Sequence, residues 1–181
     1  MSAPAYLASD DSALLRRAIE GHSGQTCLEI GAGNGGNLIA FSGGYGLAVG
    51  TDLVRPEMND WSGAGANYLL ADLASCFRDE TFDAVVFNPP YLRSEKVEDV
   101  AVDAGLEGEV PLAFLREALR VVKSTGFVLM LLSQDSPLER VREECARKAF
   151  RLTRTESTRM FFEELSVYKA SGEAHPELGR A

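Results

Sequence analysis

Thr26-Cys27-Leu28-Glu29-Ile30-Gly31-Ala32-Gly33-Asn34-Gly35-Gly36 is a strand-like run that leads directly into a cluster of glycines. Residues 26–30 suit a strand buried inside a sheet, and the glycines that follow cannot extend it. Residues 37–41, Asn-Leu-Ile-Ala-Phe, then read as helix. Strand, glycine turn, helix is a nucleotide-binding layout and marks an α/β fold. Glycine lets backbone approach a ligand closely, and a helix N-terminus turns N–H groups toward an anion. Gly31, Gly33 and Gly36 also satisfy the G-x-G-x-x-G spacing of dinucleotide sites, so the glycines alone do not choose the ligand. A glycine turn without any ligand is the plain alternative, and it weakens a fold for no gain.

Outward from that turn, residues 47–51 form a second short strand ending in Asp52, which lies 21 residues after Gly31. A carboxylate there can accept from both hydroxyls of a ribose, although Asp also commonly starts loops. Residues 56–61 suit a short helix, and Ser62-Gly63-Ala64-Gly65-Ala66 a flexible turn. Tyr68-Leu69-Leu70-Ala71-Asp72 is the third strand. Asp72 at its tip is placed to accept from an adenine amino group while Leu73 packs on the ring; its structural alternative is to cap the turn at 73–77.

The fourth strand carries Phe82, Ala84, Val85, Val86 and Phe87, and stops at Asn88-Pro89-Pro90-Tyr91. Two prolines remove successive backbone donors and fix φ, so the ladder cannot continue. The resulting corner can grip a planar NH2 group. The Asn88 side-chain oxygen accepts one N–H, the Pro89 carbonyl accepts the other, and Tyr91 can cover the flat face of the substrate. No strong base is needed, because an amide or exocyclic amine becomes acidic only as it is alkylated; positioning and transition-state electrostatics carry the rate. Read structurally, Asn-Pro-Pro is a strand-terminating turn.

The chain ends of the pattern are a helix and a sheet pair. Asp10-Asp11-Ser12 precedes an apolar face of Leu14, Leu15, Ala18 and Ile19 stopped by Gly21, with Ser12 as a cap. Residues 92–108 have little periodicity and read as an acidic loop over the site. Residues 110–122 are helical with Gly126 marking the exit, 127–132 are a buried strand, and Ser136-Pro137 opens another helix bearing Leu138, Val141 and Cys145. Residues 150–156 and 163–169 are strands joined without a helix, hence antiparallel. Residues 1–170 form one domain, and 171–181 a tail without core-forming pattern.

At 181 residues, 45% hydrophobic and 25% charged, the composition is that of an ordinary globular domain without a membrane-spanning run. The first residues lack the basic and apolar segments of a secretory signal, which points to the cytoplasm. Cys27, Cys76 and Cys145 are scattered and read as reduced core thiols rather than disulfides or metal ligands; His22 and His175 read as isolated surface residues. A formal net charge of −9 repels a phosphate backbone and argues against direct nucleic-acid binding.

The Asn-Pro-Pro-Tyr corner at a strand tip resembles the signature of S-adenosylmethionine-dependent methyltransferases that modify amide or exocyclic amino nitrogens. Five parallel-type strands alternating with helices, then an antiparallel pair, describe the class I methyltransferase sheet: seven-stranded, mostly parallel with one antiparallel strand, helices on both faces. Within that class the chain resembles the HemK-type protein-glutamine N5-methyltransferases, in the short archaeal and eukaryotic branch acting on the GGQ glutamine of class 1 release factors. The carriers are Asp10-Asp11-Ser12, residues 28–35, Thr51-Asp52, Ala71-Asp72-Leu73, Phe87-Asn88-Pro89-Pro90-Tyr91, Gly108-Glu109-Val110 and Glu164-Leu165-Ser166-Val167-Tyr168-Lys169. The resemblance implies cofactor contacts from Ser12, Glu29, Gly31, Gly33, Asp52, Asp72, Leu73 and Asn88. Glu29 would accept from the methionine ammonium, and the glycine turn would face the methionine carboxylate. Asn88, Pro89, Pro90 and Tyr91 would hold the glutamine amide. It further implies a small zinc-binding activator subunit that pairs with the edge at residues 67–70. Two positions depart from the family: Ala8 stands where proline is usual, and the basic residue expected near Gly108-Glu109-Val110 is missing. Rival readings are methylation of an exocyclic amino group of adenine or guanine in RNA or DNA, an NAD oxidoreductase, and a non-catalytic cofactor-binding subunit.

Overall fold

A computed structural model describes residues 10–54, 65–90, 108–160 and 163–172. In chain order the elements are α1 (Asp10–Ile19), β1 (Gly24–Ile30), α2 (Gly36–Ser42), β2 (Tyr45–Asp52), β3 (Ala66–Leu70), β4 (Phe82–Phe87), α3 (Glu109–Val121), β5 (Val122–Ser133), α4 (Leu138–Arg147), β6 (Phe150–Met160) and β7 (Glu163–Gly172). The expected short helix at 56–61, the loop over the site at 92–107 and Tyr91 lie outside the described residues, as does His175.

The strands form one seven-stranded sheet in the order β3-β2-β1-β4-β5-β7-β6. β1 pairs in parallel with β2 and β4, β2 with β3, and β4 with β5, whereas β7 runs antiparallel to both β5 and β6. The expected architecture is therefore borne out. One reversed strand, lying between two others, produces two antiparallel pairs. The chain winds outward from β1 to β3 on one side and from β4 to β6 on the other, so strand order reverses between β1 and β4. In open α/β sheets a ligand crevice lies at the carboxyl ends of the strands beside that reversal.

Alternation along the strands divides the core into two layers. Leu28, Ile30, Val85, Phe87, Val128 and Met130 face α3 and α4 through Leu112, Leu115, Ala118, Val141 and Cys145. Cys27, Ala84, Val86, Leu129 and Leu131 face α1 and α2 through Leu14, Leu15, Ile19, Leu38 and Phe41. Covered on both faces, the central strands carry apolar runs, 84–87 in β4 and 127–132 in β5, which is why they were readable from sequence.

The amino ends of the strands are fastened by Asp83. Its carboxylate accepts the backbone N–H groups of Gln25 and Thr26 at 2.8 and 2.9 Å and pairs with Lys123 Nζ at 2.6 Å, joining β1, β4 and β5. Burial pushes this carboxyl up, but the Lys123 ammonium and the two N–H groups outweigh it and hold it below the usual carboxylate range.

Several local expectations are corrected. The described part of α1 already contains Ser12 as its third residue, so Ser12 is within the first turn rather than before it. α3 ends at Val121 and the chain turns extended at Val122, with β5 beginning there; Gly126 is inside the strand. A Cβ at Gly126 would stand 2.5 Å from the Asp83 backbone oxygen, an approach only glycine permits. Gly126→Ala should therefore lower stability by roughly 1–3 kcal/mol, read as a fall in Tm of about 2–4 °C per kcal/mol in a chain of this size. β7 continues through Gly172, two residues into the segment read as tail. Cys76 is exposed, unlike buried Cys27 and Cys145. His22 is half-buried, its ring 4.6 Å from Phe127 and its Nε2 2.9 Å from Lys169 Nζ. Among the described residues no helix is long and apolar enough to cross a membrane.

Candidate active site

The parallel register brings the carboxyl ends of β1, β2 and β4 together. Ile30 stands beside Thr51 on one side and Phe87 on the other, with Gly31, Asp52 and Asn88 each one residue further along. Asp52 in turn neighbours Leu70 of β3, and the Ala71 N–H donates to the Asp52 carbonyl at 3.0 Å, so Asp72 follows close behind. Glu29, Gly31, Gly33, Asp52, Asp72, Leu73 and Asn88 thus cluster at one end of the sheet. Ser12 lies on α1, which packs with α2 on the face of the sheet that α2 covers.

Gly31, Gly33 and Gly35 have φ of 70°, 49° and 81°, in the left-handed region. The loop is internally bonded: Gly35 N–H donates to the Ala32 carbonyl at 2.7 Å, and Gly36 N–H to Asn34 Oδ1 at 3.3 Å. Gly33 N–H donates to Asp52 Oδ2 at 2.8 Å, while Val54 N–H donates to Asp52 Oδ1 at 3.1 Å. The expectation that this turn and the seven-residue α2 hold out N–H groups to an anion is narrowed accordingly, since those of Gly33, Gly35 and Gly36 are engaged within the protein. What the loop presents is bare backbone, fixed to the β2 carboxylate.

Glu29 is 2% exposed and Asn37, on α2, 8%. The Asn37 side-chain amide donates to Glu29 Oε1 at 3.0 Å. Glu29 Oε2 and Asn37 Oδ1, both buried, accept no hydrogen bond from the described residues. Burial pushes the Glu29 carboxyl up to about 8, against the pull of the Asn37 amide and the Leu38 N–H.

Asn88 is half-buried, Pro89 buried and Pro90 half-buried, directly after the fully buried Phe87. The Phe87 ring lies 5.7 Å from Phe114 of α3, and the same Phe114 ring would be 3.0 Å from a Cβ at Gly31. Phe114 therefore fills the space between the β1 and β4 tips. Sequence reading missed it because it falls outside the apolar stripe of α3. It also missed Asn37, a polar residue at a buried helix position, which is the kind of signal that marks a site.

Asp72 is exposed, and its backbone carbonyl, not its carboxylate, accepts from Ser75 N–H in the following turn. Leu73 has φ of 49°, unusual for a branched residue, and packs half-buried against the core. This turn is held from below by Arg120, whose guanidinium donates to the Ala74 and Phe77 carbonyls at 2.9 Å each and pairs with Glu117 and Asp79. Arg120→Met should free it, since bonds from a charged donor are worth about 1.5–3 kcal/mol each; amide exchange at Ser75 and Phe77 should quicken by at least about tenfold.

No protein-family model matches the chain. It is 28% identical to a candidate protein N5-glutamine methyltransferase of Methanocaldococcus jannaschii, over 91% of this chain and 90% of that one. Its fold superimposes on the E. cuniculi Mtq2-Trm112 complex responsible for methylation of the eRF1 translation termination factor. That match has a TM-score of 0.76 and 22% identity, over 93% of this chain and 98% of that one. This is the class I methyltransferase fold. A second methyltransferase of that class, the T. thermophilus 16S rRNA enzyme with AdoMet and guanosine bound, aligns with 94% of this chain and 41% of its own at a TM-score of 0.62 and 18% identity. The resemblance to protein-glutamine methyltransferases drawn from the motifs is borne out by the M. jannaschii relative.

Proposed function

We propose that this chain is a protein-glutamine N5-methyltransferase that uses S-adenosylmethionine to methylate the GGQ glutamine of a class 1 translation release factor in the cytoplasm. The observation that carries the reading is the Asn88-Pro89-Pro90 corner at the tip of β4, beside the strand-order reversal and next to the glycine loop. The similarity to the M. jannaschii protein and the fold shared with the eRF1-methylating complex support it.

The residues fit the cofactor. Buried, unsatisfied Glu29 Oε2 suits an ammonium group, which a cofactor lacking one would leave unanswered. Asp52, with one lone pair of each oxygen used by the loop, keeps acceptor capacity for two ribose hydroxyls. Asp72 is exposed to accept from the adenine amino group, and Leu73 offers an apolar wall to the ring. Gly31 and Gly33 let backbone approach, and Ser12 contributes from the first turn of α1. When bound, the cofactor supplies an electrophilic methyl group.

The chain's own task is to place the nitrogen. The Asn88 side-chain oxygen and the Pro89 carbonyl accept the two amide N–H groups, which fixes the amide plane and turns its nitrogen toward the methyl. Pro90 stiffens the corner, and covering the amide is the role the sequence motif implies for Tyr91, which lies outside the described residues. Acceptors aimed at the N–H groups bind the transition state better than the ground state, because these protons become acidic as the new bond forms.

The edge at β3 suits a partner. β3 pairs with β2 on one side; its Leu69 and Leu70 are 43% and 61% exposed, and Leu47 on the neighbouring β2 is 44% exposed. An apolar edge of this kind invites strand pairing, and the E. cuniculi protein was solved with Trm112. We assign this edge to a small zinc-binding activator subunit.

The test is transfer of labelled methyl to purified release factor, and in parallel to total RNA and DNA, with and without the activator. Label on the factor that disappears when its GGQ glutamine is replaced is the expected result. Label on nucleic acid alone would establish the base-methylating alternative instead.

A further inference from the structure

The Glu29 and Asn37 pair has a feature that cofactor contact by Glu29 alone leaves unexplained. Two acceptor atoms, Glu29 Oε2 and Asn37 Oδ1, are buried and unsatisfied within one hydrogen-bonded pair. Such groups cost about 1–3 kcal/mol each when nothing answers them, more if charged. Among the described residues Glu29 has no ion-pair partner. The charged and titratable groups that face it are Arg16 from α1, Asp52 from β2 and Cys27 from β1 itself; α2 contributes the Asn37 amide and the Leu38 N–H, and its register neighbours on β2 and β4, Gly50 and Val86, carry no charge.

Building on the proposed cofactor, we propose that Asn37 is a binding residue of the ammonium site, anchoring Glu29 Oε1 while its own Oδ1 and Glu29 Oε2 receive the cofactor's ammonium, and that this cation enters as Glu29 gives up a proton. The exchange balances: the ligand-free chain holds a neutral carboxyl, the ligand brings one positive charge, and one proton leaves to solvent. A buried acid at about 8 is mostly protonated at neutral pH, and an adjacent ammonium lowers it. The cofactor amino-acid group is thereby admitted by a neutral pocket and held by an anionic one.

The experiment is calorimetric titration of the full chain with S-adenosylhomocysteine at pH 7 in buffers of different ionisation enthalpy, beside 5′-methylthioadenosine, which lacks the amino-acid group. With a carboxyl at about 8, the first should release about 0.9 proton and the second none. Affinity for S-adenosylhomocysteine should rise roughly ninefold from pH 6 to pH 7 by the same linkage. Carbon NMR of the Glu29 carboxyl should show a midpoint near 8 in the ligand-free chain that vanishes from the neutral range on saturation. Asn37→Ala should move that midpoint upward and weaken S-adenosylhomocysteine by about tenfold, the worth of a charge-assisted hydrogen bond, with little change for 5′-methylthioadenosine. Glu29→Gln should abolish proton release.

Binding of S-adenosylhomocysteine without proton release, a Glu29 carboxyl already ionised at pH 6, or equal release with both ligands would overturn this inference and leave the methyltransferase reading standing. Failure of both ligands to bind would overturn the two together.

Discussion

Asn88→Ala should lower methyl transfer to the release-factor glutamine by at least about a hundredfold at saturating cofactor, the cost of losing one transition-state acceptor or donor in comparable sites. Affinity for S-adenosylhomocysteine should stay within about threefold, because the Glu29, Asp52 and glycine-loop contacts remain. The two outcomes together are informative. If the corner merely ends β4, alanine after the buried Phe87 would leave transfer near its original rate. If Asn88 serves chiefly to hold the cofactor, affinity and rate would fall together. Loss confined to kcat is the signature of a group whose hydrogen bond strengthens as the amide nitrogen is alkylated. Measuring kcat, KM and the ligand Kd in one preparation separates the three.

Asp52→Ala should act on the other axis, weakening S-adenosylhomocysteine by about a hundredfold or more. Two charge-assisted hydrogen bonds to the ribose hydroxyls account for roughly 3 kcal/mol, which is about a hundredfold in Kd. The same carboxylate also accepts from Gly33 and Val54, so its removal loosens the loop that must come close to the cofactor. Asp52→Asn distinguishes the two contributions. The asparagine carbonyl oxygen can still accept one backbone N–H, so loop order should survive better than ribose affinity. A variant that binds 5′-methylthioadenosine as tightly as the original chain would remove Asp52 from the nucleoside site.

Most of the sheet was legible because its centre obeys simple rules. Residues 27, 28 and 30 of β1 and 84–87 of β4 are apolar whichever face they point to, as a sheet covered on both sides favours. Asp52 and Asn88 were legible because each breaks an apolar run at its end, where parallel strands place chemistry. The junction at Val122 was not, because local pattern favours a turn at Gly126. The real demand on that glycine is the Asp83 backbone 2.5 Å from where its Cβ would be, a contact with a residue 43 positions earlier in sequence. The anchoring role of Arg120 was hidden for a related reason. Its partners at Ala74 and Phe77 are backbone carbonyls, which leave no mark on composition. Asn37 was visible as a letter but had no assigned partner until α2 was laid against β1.

The Asp83 fastening has a consequence for how the protein can change. It ties three strands at the sheet's amino ends, while Glu29, Asp52 and Asn88, proposed for chemistry, sit at the carboxyl ends. Damage to the two poles should therefore look different in a population of variants. Changes around Asp83, Lys123 and Gly126 should deplete folded protein while sparing the specific activity of what remains. Changes around Glu29, Asp52 and Asn88 should yield abundant but inert protein. A scaffold sorted this way can explore new substrates at one pole without renegotiating its fold at the other.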